Sequence, residues 1–248
     1  VRTLDAGQIE DHKIELIGDD FDKFEAGSKI TMCVLVDVAG KLMQEDFEPV
    51  IERKIHHYFN NMEGVMHTGQ REMIRVRLSK ADYEAGFRAR HFGEVLWANM
   101  KSEFDAILDK VQVTIVTDPA KAKELKDTVA MPAYDKRDER LESLTDESVD
   151  RFYTCTMCQS FSPSHVCVVT PERLGLCGAV SWLDAKATNE LSPEGACQPI
   201  IKGVANDENV GSWDSVNETV KQYSQGALDH VTLYSIMQDP MTSCGCFE

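Results

Sequence analysis

Four cysteines constrain this chain more than any other feature of its sequence. Their spacing is Cys155-x2-Cys158-x8-Cys167-x9-Cys177, within "CTMCQSFSPSHVCVVTPERLGLC". The C-x2-C element lets two thiolates grip one ion or cluster edge from a single turn. The third and fourth thiolates must then come from chain that folds back to meet them. Four thiolates can hold a zinc ion or a [4Fe–4S] cluster. Zinc ribbons usually carry a second C-x2-C pair, and this sequence has none. The spacing therefore leans toward iron–sulfur, with zinc and plain packing left open.

A second element stands near the end, Cys244-Gly245-Cys246 in "SCGCFE". Two thiolates separated by one glycine do not readily close a tetrahedral zinc site. With the amides of Gly245 and Cys246 deprotonated, they offer two sulfurs and two nitrogens in a plane. That donor set favours nickel(II) or copper(II), and glycine adds no Cβ to the tight wrap. Free thiols or a redox pair are the plain alternatives. Cys33 and Cys197 fit no motif and read as packing thiols.

The N-terminal stretch "VRTLDAGQIEDHK" has no apolar run of signal-peptide type, and no run of 18 apolar residues occurs. The expectation is a cytoplasmic protein without a membrane partner, whose thiols are kept reduced and read as ligands before disulfides. The formal net charge of −16 argues against nucleic acid as a partner. Between Arg71 and His91, however, six basic residues stand against three acidic ones. This island contains Arg71, Arg75, Arg77, Lys80, Arg88 and Arg90.

Apolar spacing predicts strands over 29–39, 72–79 and 111–118, with helices over 47–62, 80–110 and 120–129. This alternation makes 29–130 an α/β layer. "EMIRVRLS" at 72–79 alternates apolar and basic residues, so it reads as a strand with one wet, positive face. Residues 135–150 read as a linker or exposed helix. Beyond them, 165–170 and 230–237 read as strands and 189–215 as mostly loop. The fold class is thus mixed α/β in two domains. A middle α/β domain over 1–150 precedes a cysteine-rich, cluster-binding α+β domain over 151–248.

Taken together, "CTMCQSFSPSHVCVVTPERLGLCGAVSWLDAKA" (155–187) and "DPMTSCGCFE" (239–248) resemble acetyl-CoA synthase, the nickel–iron–sulfur subunit family of the CO dehydrogenase/acetyl-CoA synthase complex. The resemblance covers essentially the whole chain. It implies that Cys155, Cys158, Cys167 and Cys177 hold a [4Fe–4S] cubane and that Cys158 also bridges to a proximal nickel. Cys244 and Cys246, with the amides of Gly245 and Cys246, hold a distal nickel and bridge to the proximal one. Zinc or copper can replace nickel at the proximal place. Phe161 matches an aromatic beside the open coordination position. By this resemblance Cys158, Cys244, Cys246 and Phe161 are the catalytic set, and His165 is a candidate neighbour of the cluster.

The implied reaction joins a methyl group, carbon monoxide and coenzyme A into acetyl-CoA, or cleaves it, as in carbon fixation of the Wood–Ljungdahl type. The implied partners are the CO dehydrogenase subunit and a corrinoid iron–sulfur methyl-donor protein. Coenzyme A is a substrate, and its phosphates suit arginine forks. Arg71, Arg75, Arg77, Arg88 and Arg90 are its candidate contacts. The family continues well past the C-G-C, so the expectation is a second domain truncated at its C-terminus, with its activity as a fragment in question. An iron–sulfur electron-transfer or structural module using only the first four cysteines is the alternative from another class, and a zinc-stabilised interaction domain is a third.

Overall fold

Apolar side chains at strand and helix spacing set the order of elements in the first of two compact units, Val1–Glu139. The computed structural model describes residues 1–68 and 74–234. The unit runs β1 (Arg2–Thr3), β2 (Ile14–Ile17), β3 (Ile30–Ala39), α1 (Glu48–Asn61), β4 (Val65–Thr68), β5 (Ile74–Leu78), α2 (Lys80–Glu84), α3 (Ala89–Glu103), β6 (Lys110–Val116) and α4 (Pro119–Leu125). A π-helical turn, Lys126–Ala130, leads into α5 (Met131–Glu142), within which the boundary between the units falls.

The sheet order is β2-β6-β3-β5-β4, with β1 beside the second half of β3. It is a mixed sheet. β3 runs antiparallel to β6 and β5, while β2 is parallel to β6 and β1 to β3. Register decides which side chains share a face. Ile14 pairs with Val113, and Gly93 of α3 packs on Ile14 so closely that a Cβ there would lie 2.5 Å from Ile14 Cγ2. That glycine lets α3 lie against one face. Cys33 pairs with Val116, and both pack with Ala122 of α4 on the other face. Between α1 and α3, the Phe59 and Phe92 rings lie 4.5 Å apart at a tilt of 40°, and Phe21 meets Phe92 edge-on. All three are fully buried.

The second unit, Arg140–Glu248, contains β7 (Arg151–Cys155), β8 (Cys167–Val169), α6 (Trp182–Leu191), β9 (Pro199–Ile201), β10 (Ala205–Asp207), β11 (Ser212–Trp213) and α7 (Asp214–Tyr223). β8, β7 and β9 form an antiparallel sheet, and β10 pairs with β11. Phe152 meets Trp213 edge-on from one face of β7, and Tyr153 meets Trp182 from the other. Among the described residues no helix is long and apolar enough to cross a membrane.

Most expected elements form within a residue or two of their expected bounds. Residues 80–110 divide into α2, α3 and the first residue of β6. Two expectations need correction. Of the strand expected over 230–237, residues 230–234 form none, because Val231, Leu233 and Tyr234 bond to α7 and the turn before β11 instead of to a sheet partner, and 235–237 lie outside the described residues. The stretch 189–215 carries β9, β10 and β11 as well as loops. Its Gly- and Asn-rich composition hid strands of two and three residues.

Candidate metal centre

β7 and β8 bring two of the four cysteines together. Their antiparallel register sets Cys155 opposite Cys167, on the same face of the sheet, and both are buried. Beyond Cys155 the chain enters a 3₁₀ turn, Met157–Ser160, which places Cys158 on the surface. The amides of Phe161 and Ser162 both donate to the Cys158 carbonyl at 2.9 Å. Gln159 anchors this turn. Its Nε2 donates to the His165 carbonyl at 3.0 Å and to the Tyr223 carbonyl, at the end of α7, at 2.7 Å. Thr156 ties the same segment to Ala196 through its amide and its hydroxyl.

Cys177 sits on a second tight turn, where the Gly178 amide donates to the Gly175 carbonyl. Gly178 has φ +69°, a conformation that favours glycine. Cys177 is exposed, and all four thiols are free of disulfides. Phe161, three residues on from Cys158, is 93% exposed, so its ring has almost no packing of its own.

Backbone donors and buried surroundings act on these sulfurs in opposite directions. A hydrogen bond with the Cys197 thiol draws Cys155 down to about 6 against the effect of its burial, helped by the Met157 amide. Its partner Cys197 is pushed up, first by that same bond and then by burial. Cys197 is thus more than a packing thiol: it touches the sulfur of a cluster candidate. Only its isolation from any motif spoke for packing. Burial pushes Cys167 up to about 11, against the Leu176 amide, which donates to its sulfur at 3.4 Å. The nearby sulfurs of Cys155, Cys158 and Cys177 push it the same way. His165 Nε2 lies 3.3 Å from Cys167 Sγ, and the Ala179 amide donates to Cys177 Sγ at 3.4 Å.

Among the described residues no group of three or more His, Cys, Asp or Glu side chains is drawn up around a single point as metal ligands. The sulfurs of Cys155, Cys167 and Cys177 are engaged with the donors just named. The donor set itself fits a thiolate-held cluster. It comprises four free thiols in one unit, two of them opposed in register, with backbone N–H groups aimed at three. Such N–H···S bonds stabilise the thiolate form and tune a bound cluster. Cys244, Gly245 and Cys246 lie outside the described residues.

The basic island divides. Arg75 and Arg77 are both exposed on β5 while Ile74, Val76 and Leu78 are buried, which is the wet, positive face expected. Arg75 pairs in register with Thr31, which lies on the Cys33 face of the sheet. On that face a cavity of about 520 Å³ is lined by Thr31, Pro119, Ala122, Lys123, Lys126 and Asp127. Arg88 and Arg90 serve α3 instead. Arg88 Nη1 donates to the Phe87 carbonyl and its Nε stands 3.9 Å from Asp22, while Arg90 Nε stands 3.4 Å from Glu94. Arg71 lies outside the described residues.

Two family models match the chain. The one described as CO dehydrogenase/acetyl-CoA synthase complex beta subunit matches residues 1–122. The one describing the C-terminal part of the ACS/CODH beta subunit matches residues 134–248. The chain is 54% identical over 248 residues to the carbon monoxide dehydrogenase/acetyl-CoA synthase subunit alpha of Moorella thermoacetica, covering all of this chain and 34% of that protein. It is 46% identical over 247 residues to the acetyl-CoA decarbonylase/synthase complex subunit beta of Methanopyrus kandleri, covering 53% of that protein. Identity to the corresponding Archaeoglobus fulgidus protein is 39%, covering 47% of it. The chain therefore spans a third to about half the length of these relatives.

Proposed function

Because this chain belongs to the family of the CO dehydrogenase/acetyl-CoA synthase complex β subunit, we propose that it carries the part of that subunit in which acetyl-CoA is made or cleaved. The second unit is the cluster-binding domain in this reading, and the first is the coenzyme A side. One observation carries the proposal: Cys155 and Cys167 face each other in register, with Cys158 and Cys177 on adjoining turns, in a chain that also holds Cys244-Gly245-Cys246.

Cys155, Cys158, Cys167 and Cys177 would hold a [4Fe–4S] cluster, with Cys158 shared with a proximal metal. Cys244 and Cys246, through their sulfurs and the amides of Gly245 and Cys246, would hold nickel at the distal place. When bound, such a centre supplies a soft metal position where carbon monoxide and a methyl group can be joined. The chain's own contribution is binding and access. The amides of Leu176 and Ala179 donate to the sulfurs of Cys167 and Cys177. Burial of Cys155 and Cys167 keeps water from two of the four cluster thiols, and the exposed Phe161 ring would serve as an apolar wall at the open metal position. No side chain has to move a proton for carbon–carbon bond formation.

Coenzyme A brings phosphates and a thiol. The positive face of Arg75 and Arg77 suits the phosphates, and the cavity beside Thr31, lined by Lys123 and Lys126, gives that face depth. The partners proposed with this reading are the CO dehydrogenase subunit and a corrinoid iron–sulfur methyl donor, acting in the cytoplasm as an acyltransferase. The test is anaerobic formation of acetyl-CoA from a methyl donor, carbon monoxide and coenzyme A after loading with iron, sulfide and nickel. Cys246→Ser should abolish it while sparing iron. Retained activity in that variant would overturn the assignment. Iron uptake without nickel would favour an electron-transfer module, and zinc without iron an interaction domain.

A further inference from the structure

Three buried cysteines stand in one row across the sheet, and the four-cysteine motif accounts for only two of them. Cys155 of β7 faces Cys167 of β8 in register. On its other side β7 pairs with β9, where Tyr153 faces Pro199. The ladder continues toward Cys155. The Thr154 amide donates to the Gln198 carbonyl at 2.8 Å, and the Thr156 amide donates to the Ala196 carbonyl at 3.1 Å. These two bonds bracket Cys155 on one chain and Cys197 on the other, so the two cysteines are directly opposed. Opposed residues share a face, with Cβ atoms about 4.5–5.5 Å apart. The order across the sheet is therefore Cys197, Cys155, Cys167, and all three are buried.

Cys197 lies on the side of Cys155 away from Cys167. The cysteine it meets is Cys155, whereas Cys167 is near Cys155, Cys158 and Cys177 together. Cys197 thus stands outside the four-thiol group but against one of its sulfurs, to which its own thiol donates. Two neighbours on α6 hold it there. The Thr188 side chain bonds to its sulfur, and Asn189 Nδ2 donates to its carbonyl at 3.0 Å. α6 fixes the donor as the β7–β8 ladder fixes the acceptor.

We infer that Cys197 is a positioning residue for the cluster: its thiol holds the Cys155 sulfur from behind and, through that ligand, sets how readily the cluster accepts an electron. This inference rests on the iron–sulfur reading above. Reduction adds negative charge that spreads onto the ligand sulfurs, so a donor to one of them favours the reduced form. The pair is buried, so water does not take the donor's place when it is removed. Cys197→Ala deletes the donor and leaves all four ligands. Cys197→Ser keeps a hydroxyl donor at the same position.

The test uses the chain loaded anaerobically with iron and sulfide. Its readouts are iron per chain and a redox titration of the cluster's absorption. Cys197→Ala should keep its iron and shift the midpoint to a more negative potential, so that the ratio of reduced to oxidised cluster at a fixed potential falls on the order of tenfold. Cys197→Ser should recover most of that shift. Val216→Ala, which opens the core of the same unit at α7, controls for stability alone and should titrate like the unsubstituted chain. An unchanged midpoint in Cys197→Ala overturns the inference. So does an equal shift in Cys197→Ser or in Val216→Ala, since either marks an effect of packing and not of the donor. Loss of iron in Cys197→Ala overturns it too, because Cys197 would then be needed to hold the cluster at all. An unsubstituted chain that takes up no iron instead brings down the underlying reading, and this inference with it.

Discussion

Cys155 and Cys167 face each other across the β7–β8 ladder, so two thiols that lie 12 residues apart in sequence share one buried patch. A strand pair is a rigid mount. Neither sulfur depends on a loop for its place, while Cys158 and Cys177 reach the patch from turns. Cys167→Ser should therefore remove iron from the anaerobically loaded chain. Cys33→Ser, in the other unit beside Val116 and Ala122, should cost about 1–3 kcal/mol of stability and keep iron. Iron analysis and denaturant melts distinguish the two effects. Equal iron content in both variants would remove Cys167 from the ligand set.

Gln159 offers a check on the turn. Its side-chain amide is the donor that joins the C-x2-C loop to the His165 carbonyl and to the end of α7. Gln159→Leu keeps the bulk and deletes both bonds. We expect a loss of about 1–2 kcal/mol in urea unfolding and faster loss of iron to a chelator. An unchanged rate of iron loss would show that the turn holds Cys158 without this anchor.

The basic strand makes a kinetic prediction. Replacing Arg75 and Arg77 together with alanine removes the exposed positive face of β5 and leaves its buried face intact. KM for coenzyme A should rise about tenfold or more, with kcat little changed, since these groups would bind phosphates remote from the reacting thiol. Unchanged saturation by coenzyme A would exclude the face as its site. Arg88→Ala and Arg90→Ala should have smaller effects, because those guanidinium groups are engaged with Phe87, Asp22 and Glu94.

Glu103 sets a pH dependence. Burial raises its carboxyl, but Lys54 and the Tyr58 hydroxyl outweigh burial and hold it below the ordinary carboxylate range. Tyr58 donates at 2.6 Å and Lys54 stands at 2.5 Å. The folded value lies below the unfolded one, so the contribution is present above the unfolded value, about 4.3. It is lost as pH falls through the folded value. Glu103 is about a third exposed, so the size should be at most about 1 kcal/mol. Glu103→Gln should be less stable than the unsubstituted chain near pH 7, and the two should converge in acid. A gap that persists in acid would assign the effect to packing.

Much of this molecule was legible in its sequence where one residue type carries one physical constraint. The β-branched run 29–39 had to be a buried strand, and the apolar–basic alternation at 74–78 had to show one wet face. The four thiols announced themselves by spacing. The rest depends on partners distant in sequence. Nothing near Cys197 in the chain pointed to Cys155, because their contact is made by the return of the chain after α6 toward β9. Asp146 lay in a charge-rich stretch that read as linker or exposed helix, and only Glu172 and Tyr234 make it a buried acceptor. Residues 230–234 had the composition of a strand, but their amides are taken by Asn217, Gly211 and Val210.

Arg137 illustrates the same limit and gives the last prediction. It too lies in the charged stretch, on α5, yet its side chain is 4% exposed. Its two terminal nitrogens reach Glu52 at 3.0 Å and Glu48 at 3.3 Å, both on α1. Those carboxylates are themselves nearly covered, so the guanidinium neutralises charge that water cannot. Arg137→Met keeps the aliphatic volume and takes the guanidinium away from both carboxylates. It should cost about 3–5 kcal/mol. Adding Glu48→Gln and Glu52→Gln to it should return much of that loss, because the penalty belongs to unpaired charge and not to missing contact. Denaturant midpoints of the single and triple variants measure this directly. A triple variant no more stable than Arg137→Met would show that shape, not charge, makes Arg137 necessary.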